Sequence, residues 1–163
     1  MSSQPQRLDA GPHVVAYSIT VQAPAEEIYT LLADPHRHHE IDGSGTVGTQ
    51  AFGPHQLQQG DTFSVRMKKF GIRYRLPLKV TRAEPPASGR TGVVEWRQPT
   101  GHRWRWEFQS ADGGATTVTE AFDASQQNRA VRAVLRRVGV QRENARSIQG
   151  SLARVKERFE NSE

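Results

Sequence analysis

Two side chains of this 163-residue chain have the chemistry to move a proton or grip a polar ligand atom, Glu120 and His102. Glu120 is in phase with Val118 and Phe122, so a strand there turns its carboxyl inward, toward Trp106. His102 is in phase with Trp104 in the same way. An inward carboxyl costs free energy unless it is paired, hydrogen-bonded or protonated. Such a group orients a ligand hydroxyl or serves as a general base. A register slip of one residue would turn it to solvent instead.

A second cluster, His36, His38, His39, Glu40 and Asp42, invites a metal. Its spacing argues against one. On a helix His36 shares a face with His39 and Glu40, but the adjacent His38 and His39 diverge. No H-E-x-x-H set is present, and no cysteine exists, which excludes thiolate zinc, iron–sulfur clusters, disulfides and a Cys nucleophile. The cluster is therefore expected to be a solvated helix with no metal, its imidazoles open to a pH-dependent role. There is no G-x-S-x-G elbow, Walker loop or G-x-G-x-x-G, so no nucleotide or other cofactor is implied. The glycines at 43–45 and 113–114 read as turns.

The elements that must position these groups are legible from periodicity. Residues 1–12, polar and rich in Ser, Gln and Pro, read as a disordered lead-in. Residues 14–21 alternate as a half-buried strand, with Val15, Tyr17, Ile19 and Val21 on one face. Pro24 opens a short amphipathic helix over 25–33, and Asp34-Pro35 starts a second that ends before Gly43. Alternation then returns over 63–67, 72–80, 94–97, 102–108 and 118–122, separated by turns, as in an antiparallel meander. Pro77 is the one awkward residue, since it cannot donate to a ladder. From Val131 the apolar positions 131, 134, 138, 145, 148, 152, 155 and 159 form one helical stripe. Gly139 predicts either a kink or a short helix followed by a long one from about Val140 to Phe159.

A sheet of this kind and a long amphipathic helix bury each other most simply when the sheet curves around the helix. The expected fold is α+β: about seven antiparallel strands gripping a C-terminal helix, with two short helices after the first strand. This order resembles the helix-grip fold of the SRPBCC, START-like or birch-pollen-allergen-like superfamily. Four stretches carry the likeness: ITVQAPAEEIYTLLADPHRHHEIDGSGTV at 19–47, GDTFSVRM at 60–67, WRWEF with GGATTVTEAFD within 104–123, and NARSIQGSLARVKERF at 144–159. The sequence looks most similar to the actinobacterial polyketide cyclase/dehydrase group, with one such domain over 13–160.

The resemblance implies a cavity between sheet and helix that takes a hydrophobic, ring-containing small molecule. Its expected lining is Phe63, Val65, Met67, Tyr74, Leu76, Leu78, Trp96, His102, Trp104, Trp106, Glu120, Phe122, Ile148 and Leu152, with His36 and His39 at the mouth. Trp indoles suit such a wall, offering area and one N–H donor. The alternative is that the tryptophans simply fill a core. A second alternative is a cyclase or aromatase, with Glu120 or His102 moving protons in an aldol-type ring closure. No catalytic residue is assigned on the sequence.

Lys and Arg outnumber Asp and Glu by 22 to 17, giving a net charge of +5 and a pI near 10.1. Arg73, Arg75 and Lys79 share one strand face, Arg103 and Arg105 another, and Arg132, Arg136, Arg137, Arg142, Arg146 and Arg154 dot the last helices. Such charge raises nucleic acid or an anionic membrane as partners, and a basic interaction module as a third function class. Nucleic-acid surfaces pair cations with exposed aromatics, whereas the aromatics here are expected inside, so no specific nucleic-acid binding is expected. No run of about 18 apolar residues could span a membrane. The polar start has no signal-peptide core, so the expected compartment is the cytoplasm. An exposed edge strand leaves homodimerisation open.

Overall fold

The computed structural model describes residues 4–161. Eight antiparallel strands form one sheet in the order β1-β2-β8-β7-β6-β5-β4-β3. They are β1 (Gln6–Leu8), β2 (Val14–Val21), β3 (Val47–Phe52), β4 (Thr62–Lys69), β5 (Ile72–Glu84), β6 (Gly92–Arg97), β7 (Arg103–Ser110) and β8 (Thr116–Asp123). Helix α1 (Ala25–Leu32) and a 3-10 turn (Pro35–Glu40) follow β2, and α2 (Arg129–Arg137) and α3 (Val140–Glu160) end the chain.

The strand count is one above expectation. Alternation is faintest in the two edge strands, β1 and β3. β3 is only partly buried, and its pairing with β4 is irregular between Val47 and Ala51. β1 lies inside the stretch expected to be disordered. It pairs with β2 through Gln6↔Ser18 and Leu8↔Ala16, using free backbone groups of the β2 edge although its own residues are exposed. The first three residues of that stretch lie outside the described residues.

Local chemistry accounts for the other boundaries. Asp34 caps the 3-10 turn, its Oδ1 accepting from the His36 N–H at 3.0 Å, and Pro35 opens it. β5 passes through Pro77 because β6 pairs with it only from Lys79 onward, beyond the residue that lacks an N–H. Asn128 caps α2, its Oδ1 accepting from the Ala130 and Val131 N–H groups at 2.9 and 3.3 Å.

Gly139, at φ 83°, divides the helical stripe. On α3 the middle of the stripe is covered: Ile148, Leu152 and Val155 are 0% exposed and pack in the core with β2 and β8 residues, flanked by half-buried Ala145 and Phe159. On α2 it is not. Val131, Val134 and Val138 stand exposed, because the break at Gly139 turns α2 out of line with the core.

α3 is docked at its middle by a close approach of backbones. A Cβ on Gly43 would collide with the Ser147 carbonyl and the Ser151 N–H of α3, and the Gly43 N–H donates to Ser151 Oγ at 3.0 Å. Only glycine fits there.

Candidate functional site

Strand pairing places the expected lining on one sheet face. One cross-strand row runs Tyr17, Glu120, Trp106, Val94. The next runs Val15, Phe122, Trp104, Trp96, Val80. Leu78 and Leu76 continue the face on β5, opposite Phe63 and Val65 on β4. All three tryptophans therefore share the face that α3 covers, and Glu120 is among them, buried to 6% exposure.

The aromatic side chains interlock. Phe63 meets Trp96 edge-on at 5.6 Å, and Trp104 meets Phe122 at 5.4 Å. Exposure rises toward one end of the face. Trp106 and Phe108 are fully buried, Trp104, Met67 and Leu76 are half-buried, and Tyr74 is 40% exposed. Tyr74 holds its expected register opposite Met67 but stands at the open rim rather than inside.

Glu120 is the anomaly of this interior. Its Oε1 is buried and has no hydrogen-bond partner among the described residues. Burial pushes the carboxyl well above the ordinary value of 4.5, and the nearby Asp42 carboxylate raises it further. Both effects favour the protonated form, which has an O–H to donate. Asp42 reaches this region from the loop after the 3-10 turn, where it accepts from the Ser44 and Val47 N–H groups, each at 2.9 Å.

His102 lies just before β7, its ring against Phe122 at 4.8 Å and Nδ1 2.8 Å from Thr100 Oγ1. Burial drops its pKa from 6.5 to about 4, so the imidazole is neutral. One inward row, that of Phe122, separates this neutral base from the Glu120 carboxyl.

The histidine cluster disperses. His38 turns inward, donates from Nε2 to the Leu32 carbonyl at 2.8 Å and stacks on Trp96 at 5.0 Å. Burial lowers its pKa, making it a neutral aromatic wall piece that spacing alone did not reveal. His36 turns to the β3–β4 loop, donating to the Gly53 carbonyl at 2.9 Å and stacking on His55 at 4.0 Å. His39 is half-buried. Glu40 pairs with Arg37 and with Arg158 of α3. The cluster is expected to be a solvated helix without a metal, and buried His38 departs from that solvation. Among the described residues, only His36 of its members joins a close group, with Asp34 and exposed His55, the three ligand atoms lying within 4.8 Å of one another.

The outer sheet face carries the Arg expected there, and two of them, Arg103 and Arg105, are tied down. Glu95, 3% exposed, takes Arg103 at 3.3 Å and Arg105 at 3.1 Å, and accepts from Thr81 Oγ1 at 2.8 Å. Arg105 also reaches Asp123 and Glu107. A buried glutamate flanked by cross-strand arginines could have been sought in the sequence, since Glu95 and Arg105 share the same phase.

A curved antiparallel sheet closed by a C-terminal helix over an aromatic inner face defines a helix-grip protein. The chain belongs to the family described as polyketide cyclase / dehydrase and lipid transport, whose model matches residues 12–160. It is 41% identical over 155 residues to uncharacterized protein Rv0088 of Mycobacterium tuberculosis, covering 93% of this chain and 66% of that one. The chain thus spans about two thirds of that relative's length. Among solved structures, TTHA0849 from Thermus thermophilus matches with a TM-score of 0.61 and 16% identity, over 90% of this chain and 96% of that one. The Zhui aromatase/cyclase from Streptomyces sp. R1128 matches with a TM-score of 0.58 and 16% identity, over 89% and 94%. These structural likenesses establish the fold. No helix among the described residues is long and apolar enough to cross a membrane.

Proposed function

We propose that this protein binds a hydrophobic, ring-containing small molecule between the inner sheet face and α3, and that the Glu120 carboxyl holds the ligand's one polar oxygen. The observation that carries this reading is the unpartnered Oε1 of Glu120 amid Trp106, Tyr17 and Phe122. A buried polar group left unsatisfied is costly, and a core with no further task would hold an apolar residue there. The ligand enters at the end where Tyr74, Met67 and Trp104 are partly exposed, and displaces some of the aromatic contacts as it goes in. Family membership supports a hydrophobic cargo or substrate.

Two probes test it. 1-Naphthol and naphthalene share their rings and differ in one hydroxyl. Both should quench the fluorescence of the inner-face tryptophans, naphthol binding the more tightly. Glu120→Leu should cost naphthol about tenfold in affinity, one charge-free hydrogen bond with its stranded partner, and leave naphthalene nearly unchanged. Native mass spectrometry of the purified protein should also show a bound apolar molecule. If neither probe binds and nothing co-purifies, the reading fails. If both probes respond equally to Glu120→Leu, the carboxyl has no orienting role.

One observation favours a cyclase as the second reading. Glu120, whose proton burial helps to retain, and His102 as neutral base face inward with only the Phe122 row between them, the pair an aldol closure and dehydration of a polyketone would use. There, Glu120→Gln and His102→Phe should each abolish turnover of a poly-β-ketone chain while binding persists.

A further inference from the structure

We infer that the open end of the sheet docks on an anionic lipid bilayer, through apolar side chains of the β4–β5 hairpin and of α2 that enter the membrane interface together. The hairpin tip presents Phe70, Ile72 and Tyr74, exposed to 91%, 67% and 40%. Helix α2 and its C-cap present Val134 and Val138, exposed to 62% and 70%. Large apolar groups left this bare need a reason, and here two separate elements supply them.

The two elements are held side by side. Lys69, at the end of β4, pairs with Glu143 in the first turn of α3 at 2.9 Å. The Glu143 N–H donates to the carbonyl of Gly139, the residue that follows Val138. The hairpin tip and the α2–α3 corner therefore lie beside each other and make up one edge.

That edge is ringed by cations. Lys68 and Arg73 flank the hairpin tip, and Arg136, Arg137 and Arg142 flank the corner, all exposed. Apolar tips among Lys and Arg match an interface of acyl chains beneath anionic headgroups. Nucleic acid fits the edge less well, because it needs flat stacking rings and three of the five apolar groups are aliphatic. The edge lies where the inner face is most exposed, so docking would bring the entrance to the bilayer. Docking itself rests on exposure, charge and placement, and does not require the interior to hold a ligand.

Vesicle co-sedimentation tests it with no ligand added. The protein should pellet with phosphatidylcholine vesicles containing about one third phosphatidylglycerol, and weakly with phosphatidylcholine alone. Phe70→Ser with Ile72→Ser, and separately Val134→Ser with Val138→Ser, leave every charge in place and alter only exposed positions. Each pair should weaken binding about tenfold with circular dichroism and thermal midpoint retained. The inference is overturned if the wild-type chain does not bind anionic vesicles. It is equally overturned if either pair leaves binding unchanged, since charge alone, or one element alone, would then account for it.

Discussion

Glu120 and His102 pull the stability of this protein in opposite directions as pH changes. Folded Glu120 keeps its proton well above the ordinary value of 4.5, where the unfolded chain has released it. The unfolded state then binds fewer protons, so stability falls as pH rises from about 4.5 toward the folded value. Glu120→Gln removes that slope. It should be clearly more stable than wild type near neutral pH and nearly equal below about pH 4.5, as read from urea midpoints. For His102 the sign reverses. Between 6.5 and about 4 the unfolded chain takes up a proton that the folded chain refuses, so stability is lost as pH falls through that window. His102→Phe should flatten this acid limb by up to about 3 kcal/mol, and buried His38 contributes a limb of the same sign. A histidine variant that leaves acid unfolding unchanged would show that His102 is not buried in solution.

At the scale of elements, α3 is held by its apolar stripe and by one glycine contact. Leu152→Ala should cost about 3 kcal/mol, since Leu152 is fully buried against the sheet and nothing nearby can collapse into the space. Gly43→Ala should cost at least as much by another route, because its methyl group meets backbone of α3 rather than a flexible side chain. Thermal denaturation should rank both far below an exposed control such as Ala153→Ser. Residues 14–21 and the inner positions of β7 and β8 were plain in the sequence, because one buried face imposes a two-residue period. The edge strands β1 and β3 were not, because they bury too little to impose any period. The split at Gly139 was among the expected outcomes. The exposure of α2 was not, because a stripe says that a face is apolar and not which way the helix turns after a break.

Across the whole molecule, the charge of +5 lies on the outside and part of it is locked. Glu95, almost closed to water, pairs with Arg103 and Arg105 on the outer sheet face, and Asp123 and Glu107 share Arg105. Glu95→Ala would take the carboxylate partner from Arg103 and one of three from Arg105, and should destabilise by about 2 kcal/mol, with added salt recovering little of the loss. If the variant is as stable as wild type, the network contributes nothing to stability. Exposed cations outside that network include Lys68 and Arg73 at the hairpin tip and Arg136, Arg137 and Arg142 at the helix corner, which is where a charged surface has a partner to meet. By itself the sequence determined the α+β architecture, the aromatic inner face and the inward turn of Glu120, all consequences of alternation on strands with one dry side. Only the tertiary structure decided that Glu120 has no partner among the described residues, that His38 joins the wall, that His36 meets His55, and which apolar groups remain bare. Those depend on distances between elements far apart in the chain, and no local period encodes them.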